Sequence, residues 1–268
     1  GFKYRYIYYF FCGKYMSDRL AEKGDSGVHI DKLIADLHKE ENANILVFIT
    51  HHTRDPKILE NIQLSLLSMF KESQPAGLTV KEMSYIKDFI DNLPDLVVEH
   101  RDIQAERQKK YEREDEEESD ARKRDEGLED VEADELLARI NQLFKAIDVV
   151  GQIVRNKYGS LEKRVMQDLI LESYKASFRF LNDFLHASDA IQKDIVAALE
   201  WMLKEQPNLG NDELESKVKN LFLYINYGVI FGTVLRIASS VGCLDAREVY
   251  RTVKDEINTP AGDLVTVC

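Results

Sequence analysis

The chain has 268 residues, a length that fits one large domain or two small ones. Hydrophobic residues make up 44% of it and charged residues 31%, which is usual for a globular protein. Its 36 Lys and Arg residues against 48 Asp and Glu residues give a net charge of −12, which argues against duplex nucleic acid as a main partner. Cys12, Cys243 and Cys268 fit neither a zinc site nor a disulfide framework, so we expect a reducing, cytoplasmic compartment.

Apolar residues recur at steps of three and four through residues 1–98, which predicts a helical N-terminal half. The first helix is expected from Phe2 to about Lys23, with a break at Gly24 to Gly27. The apolar run within Asn42 to His52 could be a buried strand on its own, since β-branched residues favour sheets. Its helical flanks lack Gly and Pro, so we expect a helix.

Two local signals mark helix starts in this half. Asp55 precedes Pro56, and a proline fits the first helical turn because the N–H that it lacks would have been unpaired there. Thr79 and Glu82 have the spacing of a capping box, in which each side chain binds the backbone N–H of the other residue.

Residues 99–135 form a strongly acidic arm with 17 acidic and 8 basic residues. So few apolar side chains cannot offset the entropy of an ordered chain, which predicts a solvated helical arm or a disordered linker. We expect a helix to about Arg124 and disorder around Glu126 to Asp130, near Gly127. This arm is the expected boundary between two helical halves.

Residues 136–268 are predicted to form a C-terminal helical bundle. The stretch Leu221 to Val241 is long and apolar, but Asn226 and Arg236 interrupt it, which favours a buried core helix over a membrane span. The spacing Gly228-x-x-x-Gly232 then indicates tight packing in a core. A last helix is expected from Asp245 to Glu256, with Pro260 as its stop.

Motifs that carry catalysis or bind a cofactor are not recognisable in the sequence. Gly13-Lys14 lacks the rest of a Walker A loop, because Tyr8 and Tyr15 stand where a glycine and a Ser or Thr are needed. His51, His52 and Asp55 form the most polar cluster, for which a metal site or an acid–base pair needs a third group. A helix end with Asp55 as the next cap explains the cluster more simply. We therefore predict a protein that is not an enzyme and has neither cofactor nor metal.

The aromatic opening, Phe2 to Tyr15, resembles the helix that closes the ATPase core of STAND (NACHT-like) signalling NTPases. The segments Glu40 to His52, Asp55-Pro56 and Ile147 to Gly159 are similar to the helical region that follows this core in bacterial STAND proteins linked to antiphage defence. The phosphate loop and the Walker B acid of the family are absent from the sequence. The resemblance thus implies a post-ATPase helical part of a longer chain.

We therefore expect an all-α, irregular multi-helix bundle in two halves, acting as a non-catalytic scaffold or sensor-coupling module of a STAND-type protein. The expected partners are other domains of the same chain or a separate protein, with a homo-oligomer left open and no membrane. The alternative is an independent adaptor that binds proteins through the acidic arm. The candidate interface or packing residues are Tyr6, Tyr9, Phe10 and Tyr15.

Overall fold

The computed structural model describes residues 5–23, 27–37, 39–53, 55–93, 115–192, 194–195, 198 and 211–268. Helices dominate these residues and no strand occurs among them, which confirms the predicted all-α class. A 3-10 turn, Leu244–Ala246, precedes the last two helices. In chain order the helices are α1 (Arg5–Lys23), α2 (Gly27–Ala35), α3 (Glu40–His52), α4 (Pro56–Ser68), α5 (84–93), α6 (Asp115–Lys157), α7 (Lys163–Ala190), α8 (Asn211–Val241), α9 (Arg247–Ile257) and α10 (Pro260–Val267).

The predicted start of α4 is confirmed, and the hydrogen bonds of the predicted capping box are present, but residues 80–83 form turns and the helix α5 begins only at 84. The Asp55 carboxylate accepts a hydrogen bond from the Lys57 N–H at 3.0 Å, with a proline in the first turn of α4. The Glu82 carboxylate accepts from the Thr79 N–H at 2.7 Å, and the Thr79 hydroxyl accepts from the Glu82 N–H at 3.3 Å. The apolar run near His52 lies in α3, so its prediction as a helix is also confirmed.

The prediction that Pro260 stops the last helix is wrong. Helix α9 ends because Asn258 takes the left-handed conformation, with φ of 45°, and caps it. Pro260 instead begins α10, whose N-cap Thr259 accepts from the Gly262 N–H at 3.4 Å. Proline can end a helix, but it is also favoured at the first position of one, as at the start of α4. Pro260 was expected to end a helix, and it begins one.

The acidic arm is described only in part. Residues 115–135 belong to α6, which continues to Lys157, and the interruption expected over Glu126 to Asp130 is absent from this helix. Residues 99–114 lie outside the described residues, as do residues 196–197 and 199–210 of the C-terminal part.

The chain divides into two compact units. Unit 1 comprises Gly1–Leu78, Leu137–Asn182 and Gly232–Cys268, and unit 2 comprises Thr79–Leu136 and Asp183–Phe231. Each unit therefore combines segments that are distant in the sequence. The predicted division into consecutive domains, 1–98, 99–135 and 136–268, stays a prediction, because grouping by contacts does not show which parts fold alone.

In unit 1, helices α2 to α4 and α6 to α8 all contribute buried apolar side chains. Arg179 of α7 holds the end of α4: its Nε donates to the Met69 carbonyl at 3.0 Å and its Nη2 to the Leu66 carbonyl at 2.7 Å. These bonds satisfy carbonyls that a helix end leaves without a partner. Fully buried examples of the apolar side chains are Leu37, Leu46, Ile49, Ile62, Leu66, Leu143, Ile147, Ile153 and Phe178.

In unit 2, the core joins α5 to α8. The rings of Phe89 and Phe222 lie 4.4 Å apart, and Ile86 and Leu93 are buried beside them. Asn226, whose polarity argued against a membrane span, is buried here: its Oδ1 accepts from the Tyr85 hydroxyl at 2.5 Å and from the Ser188 hydroxyl at 2.8 Å. A buried amide is tolerated because its hydrogen bonds are made within the protein.

Helix α8 differs from the predicted buried core helix. Its part Ser216–Val241 is long and apolar enough to cross a membrane by length and composition, and 33% of its apolar 18-residue stretch is buried. Large apolar side chains such as Tyr224 and Phe231 are exposed. A Cβ added at Gly228 or Gly232 would meet no atom within 4 Å, so the prediction that this pair marks tight packing is wrong.

Candidate functional site

Helices α1 and α3 cross closely in unit 1 because α1 has a glycine at the contact. A Cβ at Gly13 would lie 2.5 Å from Cβ of Phe48 and 3.0 Å from the backbone nitrogen of Ile49. Any side chain at this position would push the two helices apart. The glycine that first suggested a phosphate-binding loop is thus a packing residue.

Aromatic rings pack along this crossing. Phe48 meets the ring of Tyr6 at 4.8 Å and that of Phe10 at 5.7 Å, both in an edge-on arrangement. The ring of Phe10 also lies 4.9 Å from that of His52. Edge-on contacts are one of the two preferred geometries of aromatic pairs. Tyr6 and Phe10, two of the four candidate interface or packing residues, therefore contact α3 with one side of the ring, while 68% of Tyr6 and 37% of Phe10 stay exposed.

The other face of α1 stays exposed. Ile7 is 41% exposed, Phe11 53% and Tyr15 56%, and these residues follow one another at steps of four along the helix. Residues four apart lie on one helix face, so they form a continuous apolar surface, which we call the outer face of α1. The guanidinium of Arg19 lies 4.7 Å from the ring centre of Tyr15. The fourth candidate, Tyr9, is half-buried.

Tyr8 lies at the edge of the outer face and is linked to α3. Hydrogen bonds to the Cys12 and Glu41 side chains raise the pKa of Tyr8 to about 12. Its phenol therefore stays protonated at neutral pH and adds a polar contact between the two helices.

The three polar residues singled out in the sequence come together at the end of α3. His51, His52 and Asp55 line a pocket of about 560 Å³ in unit 1. The last turn of α6 closes it: Asn156 Nδ2 lies 3.1 Å from His51 Nε2, and Lys157 Nζ donates to the Thr53 carbonyl at 2.8 Å. The pocket is therefore polar and lies between two helix ends.

The histidines in this pocket experience different surroundings. Burial, followed by the positive charge of Lys157 and then His52, lowers the pKa of His51 below its ordinary value of 6.5. Nε2 of His52 is buried and has no hydrogen-bond partner. Neutral His51 is thus the favoured form near pH 7, a form that accepts one hydrogen bond and donates another.

The carboxylate that lines the pocket has a structural role. Asp55, the carboxylate that lines it, is occupied as the N-cap of α4. No group of three or more His, Cys, Asp or Glu side chains able to hold a metal ion occurs among the described residues. The pocket offers hydrogen-bond donors and acceptors to a small polar group.

Sequence reasoning missed the contribution of Asn156 and Lys157. Both are polar residues at the end of a helix, where a solvent-exposed role is the default expectation. They are separated from His51 and Thr53 by more than 100 positions in the chain. Hydrophobic periodicity shows which face of a helix is apolar, but not which distant helix end will meet it.

No protein-family model, no curated protein and no solved structure matches this chain. The similarity of its aromatic opening to STAND NTPases stays a prediction that rests on the sequence motifs.

Proposed function

We propose that this chain is a non-catalytic helical module of a longer STAND-type signalling protein in bacterial defence. It docks through the outer face of α1 onto another domain of the same longer chain. By this contact it couples the sensing of a trigger to the assembly state of an ATPase domain. The exposed row of Ile7, Phe11 and Tyr15 is the observation that carries the proposal.

The chemistry of the outer face suits a protein partner. Aromatic side chains bring large apolar area with few rotatable bonds, which is why they are enriched at the centres of protein interfaces. Apolar anchors at steps of three and four are the pattern by which a helix lies in a groove of its partner. Lys14 pairs with Asp18 at 3.2 Å beside this row, giving it a charged rim.

The face of α1 that packs on α3 connects the docking contact with the rest of unit 1. Gly13 and Phe10 hold α1 against α3, and α3 ends at His51 and His52 in the polar pocket. Closely packed helices move together rather than deform. A partner that displaces α1 would therefore also shift the end of α3 and change the pocket.

A site-specific photo-crosslinker tests the docking face. It is placed at Phe11 in the protein produced in its native cells, and in a control at Val80, an isolated apolar side chain that is 91% exposed. We expect crosslinks from position 11 to a segment of the same polypeptide outside these 268 residues. Crosslinking no stronger than at position 80 contradicts the docking face, and crosslinks to a separate protein contradict the intramolecular partner.

Two further measurements test the rest of the proposal. A blot of the native cells should show a band far above the 30.9 kDa of this chain, and a band near that mass contradicts a longer protein. The purified chain should not hydrolyse ATP. Saturable hydrolysis would overturn the assignment of a non-catalytic role.

A further inference from the structure

Unit 1 contains a second cavity, distant in sequence from the α1 and α3 residues described above. Its volume is about 550 Å³, and it is lined by residues of α7, the end of α8, α9 and α10. The polar side chains that line it include Tyr174, Arg247, Tyr250, Arg251 and Thr266. No Asp or Glu side chain lines it. In a chain with a net charge of −12, a cavity lined by two arginines and no Asp or Glu side chain is a distinct electrostatic environment.

The two arginines are available for a ligand. Arg247 and Arg251 are four residues apart on α9, so both lie on the same helix face. Both are exposed, and neither makes an ion pair or a hydrogen bond with any residue that the structure describes. Arg155, by contrast, donates to the Ser240 carbonyl at 2.8 Å. Unlike Arg155, Arg247 and Arg251 therefore make no hydrogen bond within the described residues that stabilises the fold.

Tyr174 supplies a buried polar group at the same cavity. Only 3% of this residue is exposed, and its hydroxyl makes no hydrogen bond with the described residues. Burial, followed by the neighbouring Tyr250, raises the pKa of Tyr174, so its hydroxyl keeps its proton and can donate. The Tyr250 hydroxyl already donates to the Val241 carbonyl. The Tyr174 hydroxyl is therefore a donor that can bind an anion in the cavity.

We propose that this cavity binds a small organic anion, a phosphate ester or a carboxylate. Its charged group pairs with the guanidiniums of Arg247 and Arg251 and accepts a hydrogen bond from Tyr174. Arginine presents a planar set of donors that matches the oxygens of both groups. Val241, Val265 and the tyrosine rings provide the apolar wall that an organic part needs. This inference does not depend on the docking of α1.

Calorimetric titration at low salt tests the site with phenyl phosphate, benzoate, inorganic phosphate and the neutral molecule phenol. We expect saturable one-to-one binding of phenyl phosphate or benzoate, at least about tenfold tighter than that of phenol. The same ligand should raise the Tm, because it binds the folded chain only. Binding of phenol as tight as that of both anions, or no saturation by either organic anion up to about 10 mM, would overturn the proposal.

Three variants locate the binding. The double change Arg247→Gln and Arg251→Gln should weaken binding at least about tenfold, and Tyr174→Phe a few-fold, because it removes the donor but keeps the ring. Arg164→Gln is the matched control, since Arg164 is also an exposed arginine of unit 1 but does not line the cavity. Far-UV circular dichroism checks that each variant is folded. Equal weakening by the Arg164→Gln control would show non-specific attraction and contradict the site.

Discussion

Two helix crossings in unit 1 depend on a glycine, but their surroundings differ. Where α6 meets the end of α8, a Cβ at Gly151 would lie 1.8 Å from the Ser240 carbonyl oxygen. Polar side chains link the two helices at this crossing. Asp148 of α6 accepts hydrogen bonds from Ser240 Oγ, at 2.5 Å, and from the Arg236 guanidinium of α8. Where α1 meets α3, the contacts around Gly13 are mainly aromatic.

The difference indicates different roles for the two crossings. Directional hydrogen bonds fix one register between α6 and α8, since a shift along the helix would leave charged groups unpaired. Aromatic contacts around Phe48 tolerate small shifts better because dispersion has no fixed direction. The first crossing is therefore suited to a rigid frame. At the second crossing, the close contact at Gly13 keeps α1 and α3 together, while the angle between the two helices can adjust.

The largest expected effect is that of Gly151→Ala. The new methyl group would overlap the carbonyl of Ser240, and backbone atoms at both sides would have to move. We expect a loss of roughly 3 kcal/mol in the free energy of unfolding, even though alanine is the better helix former. Urea unfolding followed by far-UV circular dichroism measures it.

Gly228→Ala is the matched control for this change. It is the same substitution inside a helix, but the added methyl group meets no atom within 4 Å. Alanine should stabilise the helix there by about 0.5–1 kcal/mol. Equal effects of the two substitutions would show that the α6–α8 crossing is not tight.

Gly13→Ala should have an intermediate effect. Its Cβ would lie 2.5 Å from Cβ of Phe48, an atom held in place by the backbone of α3, so the two helices would have to move apart, but the overlap is smaller than the 1.8 Å approach at Gly151. We expect a loss of roughly 2 kcal/mol in the free energy of unfolding. The same urea measurement applies. A loss larger than that of Gly151→Ala would reverse the contrast between an adaptable and a rigid crossing.

Asp148→Asn tests the polar ties directly. The amide keeps an acceptor for Ser240 but loses the charge that faces Arg236, whose side chain is 42% exposed. Because the ion pair is partly solvated, we expect a loss of only about 1 kcal/mol. A double-mutant cycle with Ser240→Ala isolates the coupling between the two side chains. A coupling energy of zero would show that these contacts do not fix the crossing.

The two crossings also show what the sequence could and could not predict. Local signals such as Asp55-Pro56 and Thr79 with Glu82 predicted helix starts because both partners are within a few residues. Gly151 and Ser240 are far apart in the chain, and nothing in either segment encodes their meeting. The same limit hid the pairing of His51 with Asn156 in the candidate site.

Helix α8 adds a second kind of limit. Its apolar residues surround the helix on several sides, so periodicity could not assign a buried face. The structure leaves Leu221 59% exposed and Tyr224 78% exposed, while Asn226 is buried. Asn226 was expected only as an interruption of an apolar helix. It instead lies on the side of α8 that packs in unit 2.

The smallest expected effect concerns His51, in the polar pocket at the end of α3. The pKa of His51 is lower in the folded chain than its ordinary value of 6.5, because burial, Lys157 and His52 disfavour its protonated form. The unfolded chain therefore binds more protons between the two pKa values. The stability that neutral His51 contributes is complete above pH 6.5 and is lost as the pH falls through the folded-state pKa. Asn156 adds a contact to its Nε2.

Replacement of His51 should consequently flatten the pH dependence of stability. Between about pH 7.5 and pH 5, His51→Gln should lose less stability than the unchanged chain, as measured by urea unfolding at each pH. His186→Gln is the matched control, since His186 is exposed and makes no hydrogen bond with the described residues. An identical pH dependence in all three proteins would mean that His51 is as solvated as His186.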